Sequence, residues 1–393
     1  MRILILQSQL GTLLGGGETF TRNLFQAFSA RGHEVEAAFF ADRSGSYPIP
    51  LPPGLKPTPI PGWWSRRAGQ SVLSAIGRRL PQRFNGPWND FQERVSWRTV
   101  RWYNQSFQRR VENLFHHRWN DFDFIYVHGN RALAARVAVI RPTMLRLPGP
   151  VPPSTEPLLR KVQLVCANGD ALLQIRKFMG DGVIDLPTGL DRDLFKPQSS
   201  SVRDQLNWRE TDFVLGYVGR FTKLKGVDLL ARAFKGLSEK LPNIRLVMVG
   251  HGEEEKNLQA ELGQEIKTGR VHFAGGLSHS SLAEWYCAMD LLVMPSRYEN
   301  FSNAVLEGMA CGIPFLASDV GGNRIYARSG AGWLFEGGSP EALARQVEVI
   351  AGNREELLRR ARVALDSTRE YSWERRAYQL ETLIQGFLQN GHD

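Results

Sequence analysis

Six short apolar runs in the second half of the chain constrain its fold most: Phe213–Val218, Ile244–Val249, Val271–Phe273, Leu291–Met294, Phe315–Ala317 and Gly332–Phe335. Segments of helical pattern separate them, among them Val227–Leu237, Ser280–Ala288 and Ala304–Cys311. The runs show no polar alternation, so both faces of each strand have to be covered, and the interleaved helices supply the cover. The result is a parallel α/β sheet. The first half repeats the plan, with strands expected at Arg2–Ser8, Glu34–Phe40, Phe124–His128, Thr143–Leu147, Gln163–Ala167 and Val183–Leu186. Helices are expected at Glu18–Ala30, Arg131–Ile140 and Ala171–Met179; Phe20, Leu24, Ala27 and Phe28 fall at helical spacing, and Arg31-Gly32-His33 marks a stop. The Pro/Gly-rich stretch Tyr47–Trp64 is expected to lack regular structure.

A chain of 393 residues exceeds one ordinary core, and the break falls at Asp185–Asp191. We therefore expect an α/β protein of two Rossmann-like lobes, 1–187 and 188–373, whose parallel sheets face each other across a cleft. Ligands of such sheets sit at the carboxyl ends of the strands.

Three cysteines, Cys166, Cys287 and Cys311, are widely spaced in or beside apolar runs, which reads as buried thiols in a reducing compartment. Met1–Gln7 reads as a first buried strand rather than a leader, and no run is long enough to span a bilayer. The expected location is cytoplasmic, extending to a peripheral position at the inner face of the membrane. Net charge is +9 and uneven. Between Ile60 and Arg118 eleven arginines stand against Asp90, Glu93 and Glu112, with five tryptophans in the same window. Two helices are expected there. Arginine interleaved with tryptophan suits an anionic headgroup surface or a phosphorylated acceptor, while a solvated helical face is the plainer alternative. No nucleic-acid-binding module surrounds the cluster, so a nucleic-acid partner is not expected.

Chemistry is concentrated on the loops that follow the strands. Glu299-Asn300-Phe301-Ser302-Asn303 precedes a helix that carries Glu307 two turns on. A helix opening at the end of a parallel strand offers free N–H groups to a hydroxyl-rich or anionic ligand. Glu299 would accept from sugar hydroxyls, and Glu307 from a second diol such as a ribose. Gly219-Arg220 through Lys225-Gly226 repeats the strand–loop–helix plan. There the Arg220 guanidinium and the Lys225 ammonium form a sensible diphosphate clamp, against the plainer reading of two solvated cations. The glycines Gly16 and Gly17, which open the first helix, allow close approach to the backbone. Their spacing is not that of a dinucleotide fingerprint. His128 ends a strand and is a candidate catalytic group, though a lone histidine is more often structural. Asp121/Asp123 and Asp191/Asp193 read as structural pairs, and no metal is expected.

The two-glutamate stretch, the G-R-x-x-x-x-K-G pattern of Gly219–Gly226, Thr188–Pro197, Val249-Gly250-His251-Gly252, Val271–Gly275 and Asp319–Gly322 together resemble the retaining nucleotide-sugar glycosyltransferases of family 4, the glycosyl transferases group 1. The resemblance is dense over Leu186–Glu336. It implies the GT-B fold, with a closing helix (374–393) that crosses back onto the first lobe. It also implies a nucleoside diphosphate sugar donor, UDP- or GDP-linked, held by the second lobe, and no cofactor. Arg220 and Lys225 would take the phosphates, Glu299 with the N–H groups of Phe301–Asn303 the hexose, and Glu307 the ribose. His251 stands among the landmarks, and Phe273 near the base. Retention at the anomeric carbon follows from the same source, with a leaving phosphate oxygen taking the acceptor's proton. Two departures stand out. Pro148 occupies the usual histidine position, and Gly321-Gly322-Asn323 lacks the glutamate commonly found there.

The expected acceptor is a hydroxyl of a membrane-associated or anionic saccharide or glycolipid in envelope synthesis. Alternatives are a soluble sugar or sugar-phosphate acceptor, a nucleotide-sugar epimerase, and a binding protein without turnover.

Overall fold

The computed structural model describes residues 1–11, 16–42, 46–61, 102–149 and 151–390. The chain divides into two compact units, Met1–Ala167 with Gln174–Leu186 and Arg376–Asp393, and Asn168–Leu173 with Pro187–Arg375.

The first unit holds a seven-stranded sheet built from β1 (Arg2–Leu6), β2 (Glu34–Ala41), β3 (Leu55–Pro61), β4 (Phe124–His128), β5 (Thr143–Arg146), β6 (Leu164–Ala167) and β7 (Val183–Asp185), in the order β3-β2-β1-β4-β5-β6-β7. The second holds β8 (Phe213–Val218), β9 (Ile244–Val249), β10 (Val271–Gly275), β11 (Leu291–Met294), β12 (Phe315–Ser318) and β13 (Gly332–Phe335), in the order β10-β9-β8-β11-β12-β13. All pairings between these strands are parallel. Central strands are buried on both faces, as at Ile3–Ile5 and Leu291–Val293, each 0% exposed. This is the physical consequence of apolar runs without alternation.

One element differs from expectation. The Pro-rich stretch taken as irregular contains β3, paired to β2 from Val35↔Leu55 to Ala41↔Pro61. Pro57, Pro59 and Pro61 alternate, so their nitrogens all point to the unpaired edge, while Lys56, Thr58 and Ile60 turn their N–H groups toward β2. A terminal strand tolerates proline on one side only, and this sequence places it there. Of the arginine/tryptophan region, 102–115 is helical; the remainder of the two expected helices, 62–101, lies outside the described residues.

Several helix starts are fixed by side-chain caps. Asn130, Ser278, Ser302, Ser339 and Asn353 accept hydrogen bonds from Leu133, Ser281, Val305, Ala342 and Glu356 N–H groups. The last helix, Trp373–Asn390, holds to the first unit through Glu381, which meets Arg31 and, at 3.0 Å, His33.

Strand order reverses between β1 and β4 in the first sheet, and between β8 and β11 in the second. At such a switch point the loops diverge to opposite faces and leave a crevice at the carboxyl ends. The loops concerned leave β1 at Gln7 and β4 at His128 in one unit. In the other they are Gly219–Gly226 and Pro295–Ser302.

Candidate functional site

In the second unit the β11 loop is held from both sides by backbone contacts that only glycine permits. A Cβ on Gly226 would stand 1.9 Å from the Pro295 carbonyl oxygen, one on Gly321 1.7 Å from that of Glu299, and one on Gly322 2.0 Å from that of Asn300. Gly226 and Gly321 also take positive φ, +68° and +43°. Hydrogen bonds complete the clamp: Gly322 N–H donates to Glu299 O at 3.0 Å, Ser318 Oγ to Ser296 O at 2.5 Å, and Arg297 N–H to Leu224 O at 2.9 Å. Arg297 reaches back with both terminal nitrogens to Asp228, at 2.7 and 2.8 Å. That fork raises the guanidinium pKa and holds the Asp228 carboxyl below its ordinary range.

The clamped loop delivers Glu299 to Lys225. Lys225 closes the 3-10 turn Lys223–Lys225 after β8, immediately before left-handed Gly226 and the helix Val227–Lys240. Its Nζ lies 2.5 Å from Glu299 Oε2, and Ser296 Oγ lies 3.5 Å from the same oxygen. Glu299 is 7% exposed, so its charge is desolvated and the ammonium neutralises it. Tyr217 completes the surroundings: its hydroxyl donates to the Arg220 carbonyl at 2.9 Å. Its pKa is driven up, first by burial and next by the negative charge of Glu299, with the Arg220 guanidinium opposing. Arg220 and Glu299 therefore act on one buried phenol, a residue that sequence reading did not single out. Its position just before Gly219-Arg220 was the available signal.

The helix Asn303–Ala310, capped by Ser302, carries Glu307, and Tyr286 donates to Glu307 Oε2 at 2.8 Å. Burial raises the Glu307 carboxyl pKa, which the charge of His279 and the Tyr286 hydroxyl partly offset. Tyr298 donates to Asn300 Oδ1 at 2.7 Å, and Phe301 packs on Tyr326 with centroids 4.9 Å apart. The first-turn N–H groups of this helix beyond the Ser302 cap have no intrahelical partner.

Other expected residues fall elsewhere. His251 staples two loops: Nε2 accepts from Gly276 N–H at 2.7 Å and Nδ1 faces Glu255 at 3.3 Å. Phe273 packs edge-to-face on Phe221, 5.9 Å away, against the core of the unit. Asn323, in place of the usual glutamate, is buried and donates to Ser318 O at 3.1 Å. Asp123 accepts from Arg2 N–H, Asp121 meets Arg118, and Asp191 caps its own turn through Asp193 and Leu194 N–H.

At the first unit's switch point His128 stacks over the glycine turn. A Cβ on Gly17 would meet its Nε2 at 2.6 Å, so Gly17 makes room for a ring of the protein itself; Gly16 is exposed at the start of the helix Gly16–Ala30. Thr21 Oγ1 donates to Gly17 O at 3.1 Å, leaving its oxygen to accept from Tyr126 OH at 3.2 Å. The Tyr126 oxygen then accepts from His128 Nδ1 at 3.1 Å. That chain fixes the ring as the Nδ1–H tautomer with an accepting Nε2. Burial, aided by the Arg146 charge, lowers the His128 pKa to about 3.

With this geometry in view, residues 198–364 match the family model described as "Glycosyl transferases group 1". Over 243 residues the chain is 29% identical to D-inositol 3-phosphate glycosyltransferase 1 of Catenulispora acidiphila, covering 59% of this chain and 58% of that protein. The chain thus spans somewhat over half the length of that relative. Among solved structures, sucrose-phosphate synthase of Thermosynechococcus elongatus superposes with a TM-score of 0.75 at 19% identity, covering 99% of both chains. HepE of Anabaena, in complex with UDP-glucose, gives 0.71 at 20% identity over 98% of this chain and 100% of that one. These likenesses establish the fold as GT-B, two Rossmann-like lobes each on a parallel sheet. The residues that match the glycosyl transferases group 1 model fall within the second lobe.

Proposed function

We propose that this protein is a retaining hexosyltransferase that moves a sugar from a nucleoside diphosphate sugar to an acceptor hydroxyl. The observation that carries the reading is the Lys225–Glu299 pair at the β8/β11 switch point, 2.5 Å apart and largely desolvated. A carboxylate for sugar hydroxyls and an ammonium for phosphate, locked together at the carboxyl end of a parallel sheet, grip an activated sugar at its two chemically distinct ends. Lys225 turns from Glu299 to the incoming diphosphate and Arg220 adds a second cation. Glu299 and the N–H groups of the capped helix take the hexose, and Glu307 takes the ribose through its second oxygen. The cations and N–H groups stabilise the charge that develops on the leaving diphosphate, so the step needs no protein nucleophile. UDP is the preferred nucleotide, in keeping with the UDP-glucose in the Anabaena structure.

The acceptor in this reading is anionic. The names of the relatives, a D-inositol 3-phosphate glycosyltransferase and a sucrose-phosphate synthase, favour a small phosphorylated polyol or sugar. A lipid-linked acceptor rests on the arginine/tryptophan segment, most of which lies at 62–101. No described helix is long and apolar enough to cross a membrane. A panel of UDP and GDP sugars, scored by thermal stabilisation and slow release of free nucleotide, tests the donor. Incubation with inositol phosphates, hexose phosphates and lipid-linked saccharides tests the acceptor. A wild type stabilised by none of the nucleotide sugars overturns the proposal.

A further inference from the structure

Two of the three cysteines meet in the second unit. Cys287 is the last residue of the helix His279–Cys287, and Cys311 follows the last turn of the helix Asn303–Ala310. Both thiols line the segment Lys196-Pro197-Gln198. Cys287 Sγ lies 3.7 Å from Lys196 O and is met by the Gln198 backbone, while Cys311 is met by the backbone of Lys196. Cys311 Sγ lies 4.0 Å from the Ala283 carbonyl oxygen, one turn before Cys287 on the same helix, which places the two thiols side by side. Cys287 is half-buried, whereas Cys311 is 4% exposed. The Cys311 hydrogen bond, against burial, lowers the Cys287 thiol to about 7, and the pairing keeps Cys311 protonated. A half-buried, acidified thiol with a buried partner beside it has the layout of an attacking and a resolving cysteine.

The pair adjoins Glu307 on both sides. Cys287 follows Tyr286, whose hydroxyl holds Glu307 Oε2, and Cys311 N–H donates to Glu307 O at 3.1 Å. We propose that Cys287 and Cys311 form a reversible dithiol–disulfide site, oxidised by hydroperoxides, whose closure displaces Glu307. The Cys287 thiolate attacks one oxygen of hydrogen peroxide, forming sulfenic acid and releasing hydroxide, which takes a proton to become water. Cys311 sulfur then attacks the sulfenic sulfur and expels a second hydroxide, which leaves as water with the Cys311 proton. Two thiols and one peroxide become one disulfide and two waters. Bonded sulfurs sit about 2.05 Å apart, closer than two thiols in contact, so closure draws the two helix ends together. Its effect on donor binding rests on the ribose role proposed for Glu307.

The test uses the full-length protein with hydrogen peroxide, at pH 8 and pH 6. A cross-linked 287/311 peptide two hydrogens lighter is expected, reversed by dithiothreitol and formed about tenfold more slowly at pH 6, as the thiolate fraction falls. Cys311→Ser should trap sulfenic acid on Cys287, captured by dimedone, and Cys287→Ser should abolish the label. Amide exchange over 303–312 should change on oxidation, a readout needing no ligand, and affinity for the nucleotide sugar should fall about tenfold. If three thiols remain titratable, or the cross-link involves Cys166, the site is wrong. If the disulfide forms with exchange over 303–312 unchanged, the coupling to Glu307 is wrong. A reduced protein that binds no nucleotide sugar refutes the proposed function instead, and leaves the peptide and exchange results to judge this site.

Discussion

Replacing Lys225 by methionine keeps the stem and deletes the ammonium that lies 2.5 Å from Glu299 Oε2. Glu299, on a residue 7% exposed, is left with the Ser296 hydroxyl at 3.5 Å in its place. Stranding one member of a fully buried pair costs roughly 3–5 kcal/mol. The Lys225 side chain is 21% exposed, so water reaches the site and the figure falls to about 2–3 kcal/mol. For a unit of this size each kcal/mol moves the midpoint by about 2–4 °C, giving an expected drop of about 4–12 °C. Donor binding loses a charge-assisted contact to the diphosphate, worth about 1.5–3 kcal/mol, or roughly ten- to 150-fold in Kd. Calorimetric melting measures the first, and titration with the nucleotide sugar that most stabilises the wild type measures the second. The double variant Lys225→Met/Glu299→Gln should recover most of the stability but none of the binding, because it removes the stranded charge without restoring the cation. A single variant that melts and binds like the wild type would refute the reasoning. So would a double variant no more stable than the single one, since the pair would then carry no coupling.

Gly321→Ala forces a Cβ to within 1.7 Å of the Glu299 carbonyl at positive φ, so the loop must shift; nucleotide affinity should fall at least tenfold with a lowered midpoint. Gly236→Ala, in the interior of the helix Val227–Lys240 with nothing within 4 Å of its Cβ, should instead raise stability by about 0.5–1 kcal/mol in the same assay. His128 is neutral when folded, with a pKa of about 3, and takes up a proton near pH 6.5 when unfolded. Its contribution is complete above pH 6.5 and is lost as pH falls toward 3, by up to about 2 kcal/mol between pH 7 and pH 5. Urea denaturation at the two pH values should show that difference shrinking in His128→Asn; an unchanged difference would remove His128 as its source. Tyr286→Phe strips the donor from Glu307 Oε2 and should cost about 1.5–3 kcal/mol, read by denaturation without ligand.

Strand positions were legible because an apolar run of four to six residues between turn signals has few alternatives. Phe213–Val218, Ile244–Val249, Leu291–Met294 and Gly332–Phe335 have the bounds read from sequence. β3 was hidden because proline reads as a break, and only its place at the sheet edge makes Pro57, Pro59 and Pro61 compatible with pairing. Lys225 and Glu299 could be singled out from their loops, but their direct pairing could not. It depends on β8 and β11 being neighbours, a consequence of strand order rather than of spacing along the chain.

The sequence alone determined the layered architecture, since periodicity and run length are local properties that dictate which surfaces need cover. Tertiary structure decided the partners: Tyr217 near Glu299 and Arg220, Tyr286 on Glu307, Cys287 beside Cys311, and a histidine ring filling the space over Gly17. Each joins residues from different elements, and desolvation with a specific neighbour arises only when the chain has brought those elements together.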